Sequence, residues 1–219
     1  MIKDGDQLAL AVSGGIDSLV MAAVLAFWRR KAPVSFDLCA ITIDHGYWRR
    51  HPGVDNPAAV ISEQLRPWGL ALRVESAWGA PGQAQSCFHC ARDRRSQLFS
   101  IARDEGHTAI VFGHHRDDLI DTFFLNLLYG GNISTMKPKQ LLFDGRLKLL
   151  RPLAYLSKEE ILTLGQLWRL RPQPNYCPYA DDSRRQTTRN IIMAIERFQP
   201  DARRAVFAAL KNVRAEYLP

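Results

Sequence analysis

Ala11-Val12-Ser13-Gly14-Gly15-Ile16-Asp17-Ser18 stands between two segments of different period. Before it, Gln7 to Val12 turns into a continuous apolar run, the pattern of a strand covered on both faces. After it, Leu19, Val20, Ala23, Val24 and Phe27 recur at helical spacing from Asp17 to Arg30. The unit is strand, glycine turn, helix. Two adjacent glycines let backbone N–H groups converge on an anion, and the helix N-terminus behind them adds a partial positive charge. The turn therefore suits a phosphate. It lacks the lysine of a Walker A loop and the spaced glycines of a dinucleotide fingerprint, so neither of those phosphate sites fits. Taken alone, the same residues also describe a tight turn with Asp17 or Ser18 capping a helix.

The pattern repeats outward along the chain. Phe36 to Ile43 reads as a second strand, Pro57 to Trp68 as a helix and Leu70 to Glu75 as a third strand. A helix over Arg92 to Asp104, a strand over Thr108 to Phe112 and an amphipathic helix over Asp118 to Leu128 follow. Strands alternating with helices give an α/β fold whose parallel sheet carries helices on both faces. Asp144-Gly145, between two short apolar runs, predicts a two-residue hairpin turn, with a strand returning to the sheet near Arg151. From Lys158 onward the pattern is helical, broken by the proline-rich stretch from Arg171 to Asp182. It resumes over Ser183 to Phe198 and over Asp201 to Val213. The expected organisation is a nucleotide-binding core over Met1 to Tyr155, with residues 156–219 a C-terminal helical appendage folded back on it.

A second loop fits the chemistry of the first. Gly113-His114-His115-Arg116-Asp117-Asp118 follows the fourth strand and opens a helix, which places it at the carboxyl edge of the sheet beside the glycine turn. Asp117, Asp118 and Asp121 could be no more than acids answering a helix dipole. A metal-assisted reading needs carboxylates facing a triphosphate, and Asp117 and Asp121 would share one helical face. His114 and His115 are read either as ligands or as packed core histidines.

A hydrophobic share of 47% and a charged share of 23% belong to an ordinary globular protein and exclude a disordered chain. No apolar run is long enough to span a bilayer, and the N-terminal MIKDGDQLALAV reads as a charged lead-in to a strand, so the expected compartment is the cytoplasm. There, four cysteines favour metal or redox chemistry over structural disulfides. A net charge of +7 favours a polyanionic partner. Cys39 lies inside an apolar strand and is read as a small buried hydrophobe. Cys87-Phe88-His89-Cys90 is compatible with zinc, a redox pair or an iron–sulfur cluster. Zinc would use Cys177 with one of His89, His107, His114 or His115. Three thiolates on a [4Fe–4S] cluster would leave one iron open to a small sulfur species.

Together SGGxDS and GHxxDD resemble the PP-loop ATP pyrophosphatase superfamily, whose Rossmann-like members cleave ATP between the α and β phosphates and adenylate a carbonyl oxygen. By that resemblance Ser13, Gly14, Gly15 and Ser18 hold the pyrophosphate, Gly113 and His114 face the nucleotide, and Asp17 and Asp117 serve catalysis through Mg²⁺. Asp44 falls where adenosine is gripped. The run from Cys87 to Arg95, with GHHRDDLIDTFFLNLLYGG and LLRPLAY after it, is similar to the tRNA 2-thiocytidine synthetase (TtcA) family. The resemblance implies that Cys87, Cys90 and Cys177 hold a [4Fe–4S] cluster beside ATP. It also implies tRNA as substrate, thiolated at cytidine 32, and a sulfur donor such as a cysteine desulfurase. A homodimer is left open. Ile16 stands where that family usually carries lysine, and Asp44-His45-Gly46 is similar to lysidine synthetases, which the three cysteines do not suit. The rival readings are a thiolase of another RNA base or a small molecule, and a metal-carrying RNA-binding protein without ATP turnover.

Overall fold

The computed structural model describes residues 1–78, 87–176 and 184–217, with Cys87, Phe88 and Ala215 described in backbone only. β1 (Asp6–Ala11) leads through the glycine turn to α1 (Ile16–Arg29), and β2 (Phe36–Asp44) leads to α2 (Pro57–Leu65) and β3 (Leu72–Ser76). After these come α3 (Cys87–Asp104), β4 (Ala109–Val111), α4 (Arg116–Gly130), β5 (Lys139–Leu142) and β6 (Leu147–Leu150). Three helices close the chain, α5 (Lys158–Leu167), α6 (Arg184–Phe198) and α7 (Ala202–Ala209).

The strands form one sheet in the order β3-β2-β1-β4-β6-β5. All neighbours are parallel except β5, which runs antiparallel on the edge. Alternation along β1 explains the two layers. Leu8 and Leu10 enter one core with α1, Ile61 and Leu65 of α2 and Ile161 of α5, whereas Ala9 enters a second with Leu98 and Ala102 of α3. The expected α/β sheet with helices on both faces is therefore the fold observed. α6 and α7 pack on α4. Among the described residues no helix is long and apolar enough to cross a membrane.

Strand order also fixes where a ligand can sit. The chain moves outward from β1 to β2 and β3, then crosses back to lay β4 on the other side of β1. The carboxyl ends of β1 and β4 flank that reversal, and in such sheets the crevice at the reversal receives the ligand.

Three local expectations need correction. The hairpin loop spans residues 143–146 between the paired Leu142 and Leu147, with Phe143 and Asp144 at positive φ (52° and 56°) and Gly145 at 85°. Gly145 N–H donates to the Leu142 carbonyl (3.1 Å) and Arg146 N–H to the Phe143 carbonyl (3.1 Å), so Asp144-Gly145 does sit at the centre of the turn, within a loop longer than the two residues expected. Asp144 tolerates that conformation readily, and the Phe143 ring meets Phe99 edge-on. No further strand follows near Arg151, because β6 is itself the strand that returns to pair with β4. In addition, α3 starts at Cys87 and not at Arg92, so Cys87 and Cys90 sit one turn apart on a helix start.

Candidate active site

The glycine turn is held by one hydroxyl. Ser13 N–H donates to Ser18 Oγ (3.2 Å), Ser13 Oγ lies 3.3 Å from it, and Ser18 Oγ donates to the Gly15 carbonyl (2.8 Å). Gly14 takes φ +84°, where a side chain would be strained and would strike Ile61. No side chain caps α1, whose cap residue is Gly15. The first N–H groups of the helix thus keep their capacity for an anion. A Cβ at Gly15 would meet only Ser13 Oγ, at 3.6 Å, so the space above the turn is open. These residues fit a phosphate chain.

The second loop touches the first through backbone. A Cβ on Gly113 would lie 2.9 Å from the carbonyl carbon and oxygen of Asp17 and 3.0 Å from Ser18 N. Only glycine permits that approach. Buried His115 sits between the loops, with Nε2 3.7 Å from Asp17 Oδ1 and Nδ1 3.6 Å from Asp117 Oδ2. It also caps α4: Nδ1 accepts from Asp117 N–H (3.2 Å), while Asp118 accepts from His115 N–H (3.0 Å). His114 is half-buried against Phe112 with an unpartnered Nδ1. Desolvation pushes its pKa down to about 4 against the opposing pull of Asp118, and Arg151, Arg185 and His115 push the same way as burial.

Lysine and arginine from the C-terminal helices complete this cluster. Lys158 donates its backbone N–H to Asp117 Oδ2 (2.8 Å) and its Nζ to Asp17 Oδ1 (2.5 Å), so one residue ties the two motifs together. Arg203 Nη1 lies 3.2 Å from Asp117 Oδ1. Asp121 is elsewhere: 2% exposed, it pairs with Arg189 Nε of α6 at 2.7 Å. The structure therefore groups Asp117 with Asp17 and not with Asp121, and among the described residues no three His, Cys, Asp or Glu form a ready metal site. Arg189 belongs to the basic run Arg184, Arg185 and Arg189, whereas Lys158 and Arg203 stand in no motif of the sequence. Their one local signal is Lys158 at the first position of a helix, where a cation opposes the dipole.

Asp44 organises the loop after β2, accepting from Gly46 N–H (2.7 Å), Trp48 Nε1 (3.2 Å) and Arg49 Nη2 (3.2 Å). Cys90 is half-buried, with Sγ 4.0 Å from the ring nitrogens of His45 on that loop. Burial, reinforced by Arg94 and opposed by Asp44, lowers the His45 pKa. His51 of the same loop meets the Tyr176 ring at 5.1 Å, one residue before Cys177. Cys177 itself lies outside the described residues, as does the side chain of Cys87. Cys90 lies in the first turn of α3. Guanidinium groups converge nearby. Arg151, 7% exposed, gives Nη1 to the Lys137 carbonyl (2.6 Å) and leaves Nε unpartnered, and burial with Arg95 lowers its pKa to about 10. Cys39 is half-buried on β2 against the second core, with its thiol pKa raised by burial, as a packing residue would be.

A PP-loop domain family matches residues 2–196. The chain belongs to the PP-loop family. It is 35% identical over 221 residues to the tRNA-cytidine(32) 2-sulfurtransferase of Pseudomonas aeruginosa strain PAO1, covering 97% of this chain and 78% of that one. The protein of the same name from Methylococcus capsulatus is 35% identical over 226 residues, covering 100% and 76%. These relatives place the PP-loop chain in the tRNA 2-thiocytidine synthetase family, the one the motifs resemble. Among solved structures, the U34-tRNA thiolase NcsA from Methanococcus maripaludis with its [4Fe-4S] cluster superposes with a TM-score of 0.79 at 22% identity, over 99% of this chain and 74% of that one. That likeness shows the PP-loop fold.

Proposed function

We propose that this protein is an ATP-dependent tRNA sulfurtransferase that replaces the C2 oxygen of cytidine 32 with sulfur. The carrying observation is the backbone contact of Gly113 with Asp17 and Ser18 at the sheet's reversal. It joins a phosphate turn to an acidic loop, with Cys90 on the helix start packed against the neighbouring loop. The relatives named for tRNA-cytidine(32) thiolation supply the substrate.

In this reading Ser13, Gly14, Gly15 and Ser18 hold the β and γ phosphates through backbone N–H groups and hydroxyls. Asp17 and Asp117 hold Mg²⁺, His114 and Gly113 line the nucleotide, and Asp44 shapes the loop that meets adenosine. The cytidine O2 attacks the α-phosphate, pyrophosphate leaves, and C2 becomes open to a sulfur nucleophile that displaces AMP. A [4Fe–4S] cluster held by Cys87, Cys90 and Cys177 would supply that sulfur on its one iron lacking a protein ligand. Arg95, Arg151 and Arg185 draw a phosphodiester backbone toward the cleft, a contribution that salt weakens. Residues from Met1 to Tyr155 act as the nucleotide core, and 156–219 close over it. The sulfur comes from a donor such as a cysteine desulfurase, in the cytoplasm, and a second copy of the chain is a further partner to test.

The test is nucleoside analysis of tRNA from cells with the gene intact, deleted and restored. Deletion abolishes 2-thiocytidine, the wild-type copy restores it, and copies carrying Cys90→Ala or Cys177→Ala do not. Unchanged 2-thiocytidine on deletion overturns the assignment.

A further inference from the structure

A loop that holds a triphosphate ordinarily carries its own cation, as the lysine of a Walker A loop does. Residues 13–18 here contain none. Ile16, at the position between the glycines and Asp17, packs away from the turn. A Cβ at Gly165 of α5 would lie 2.5 Å from Ile16 Cδ1, so Gly165 is the gap that receives the isoleucine. That close seat of α1 on α5 brings the first residue of α5 to the turn, and that residue is Lys158.

We propose that Lys158, held between Asp17 and Asp117, is a phosphate-binding residue that supplies the cation missing from the glycine turn. This rests on the ATP reading of the site and deepens it. Both ends of the lysine are placed. Its backbone N–H is bonded to Asp117 of the second motif and its Nζ to Asp17 of the first, while the side chain stays 40% exposed. An ammonium has three donors, so Nζ can keep Asp17 and still offer protons to phosphate oxygens. Its sequence position also points to a function. Ser157 and Glu160 form a capping box and Glu159 adds a second acid, so the first turn of α5 is otherwise built for the dipole, and Lys158 opposes it. A residue that breaks the local rule where its side chain reaches a ligand site is what a functional compromise predicts.

The experiment measures equilibrium binding of Mg·ATP, of inorganic pyrophosphate and of adenosine, by calorimetry without tRNA, to wild type, Lys158→Met, Lys158→Arg and the double variant Ile16→Lys/Lys158→Met. Lys158→Met should weaken Mg·ATP and pyrophosphate about tenfold to a hundredfold, the worth of one charge-assisted hydrogen bond. Adenosine should bind as before. Lys158→Arg should hold most of the affinity, and the lysine moved onto the loop should recover much of it. Wild-type Mg·ATP binding by Lys158→Met overturns the inference alone, as does an equal loss for adenosine or a folded double variant that recovers nothing. No Mg·ATP binding by wild type overturns the ATP reading and this inference with it.

Discussion

Replacing Gly113 with alanine should cost both stability and chemistry, and the cost can be worked from one contact. The added methyl would lie 2.9 Å from the Asp17 carbonyl carbon and oxygen and 3.0 Å from Ser18 N. Non-bonded carbons rest at about 3.5 Å or more, so the loops must part by about 0.5 Å. Backbone cannot rotate out of the way as a flexible side chain can. Gly113 is not among the positive-φ glycines, so the effect is one of packing and not of strain. Overpacking of this kind costs about 1–3 kcal/mol, which for a chain of this size lowers Tm by roughly 2–12 °C. Because a displacement of about 1 Å can cost about a hundredfold in rate, half that should lower kcat/KM for pyrophosphate release roughly tenfold. Gly15→Ala is the control. It adds a methyl to the open space of the same cradle, at φ −68° and 3.6 Å from its nearest neighbour, so stability should hold within about 0.5 kcal/mol while ATP affinity falls. Thermal melts and pyrophosphate release with tRNA measure both quantities. A Gly113→Ala protein with wild-type melting and wild-type kcat/KM would refute the idea that direct contact keeps the two loops in register.

Two further outcomes concern the charges behind the site. Arg189→Ala leaves the buried Asp121 carboxylate without its cation and should destabilise by about 2–3 kcal/mol, the usual cost reduced because the arginine is half exposed; an unchanged denaturation midpoint would show that the pair carries no stability. His114 has a folded pKa near 4 against 6.5 for the free side chain, so the unfolded chain takes the proton first as the solution is acidified. Its contribution is complete above about pH 6.5 and is lost between there and about pH 4, to a total of about 2–3 kcal/mol. His114→Asn should flatten the pH dependence of stability across that window, and an identical slope in the two proteins would discount the buried neutral imidazole.

What the sequence could tell depended on whether a feature was local. Ser13 to Ser18 and Gly113 to Asp118 each sit between a strand and a helix, so period and turn chemistry alone located them at one sheet edge. Asp144-Gly145 correctly marked the centre of the hairpin, but its loop is longer than two residues and carries Phe143 at positive φ, which no turn rule encodes. The acids were harder. Helical spacing put Asp117 and Asp121 on one face, yet Arg189 takes Asp121 and Lys158 takes Asp117. Both cations come from helices far along the chain, and the one local sign is Lys158 at a helix start, where it opposes the dipole.

Those distant cations give the C-terminal helices a role beyond packing. Asp17 and Asp117 lie on different motifs, and each carries a negative charge that repels its neighbour in a cleft meant for phosphates. Lys158 and Arg203 neutralise the pair. Without that support, the acids that would hold a metal would also oppose the triphosphate. The segment after α5 reaches the loop after β2, because Tyr176 meets His51 of the loop that Cys90 touches. Residues after Tyr155 therefore balance the charge of Asp17 and Asp117, so their removal should weaken Mg·ATP binding measured by calorimetry, and unchanged binding would count against that balance.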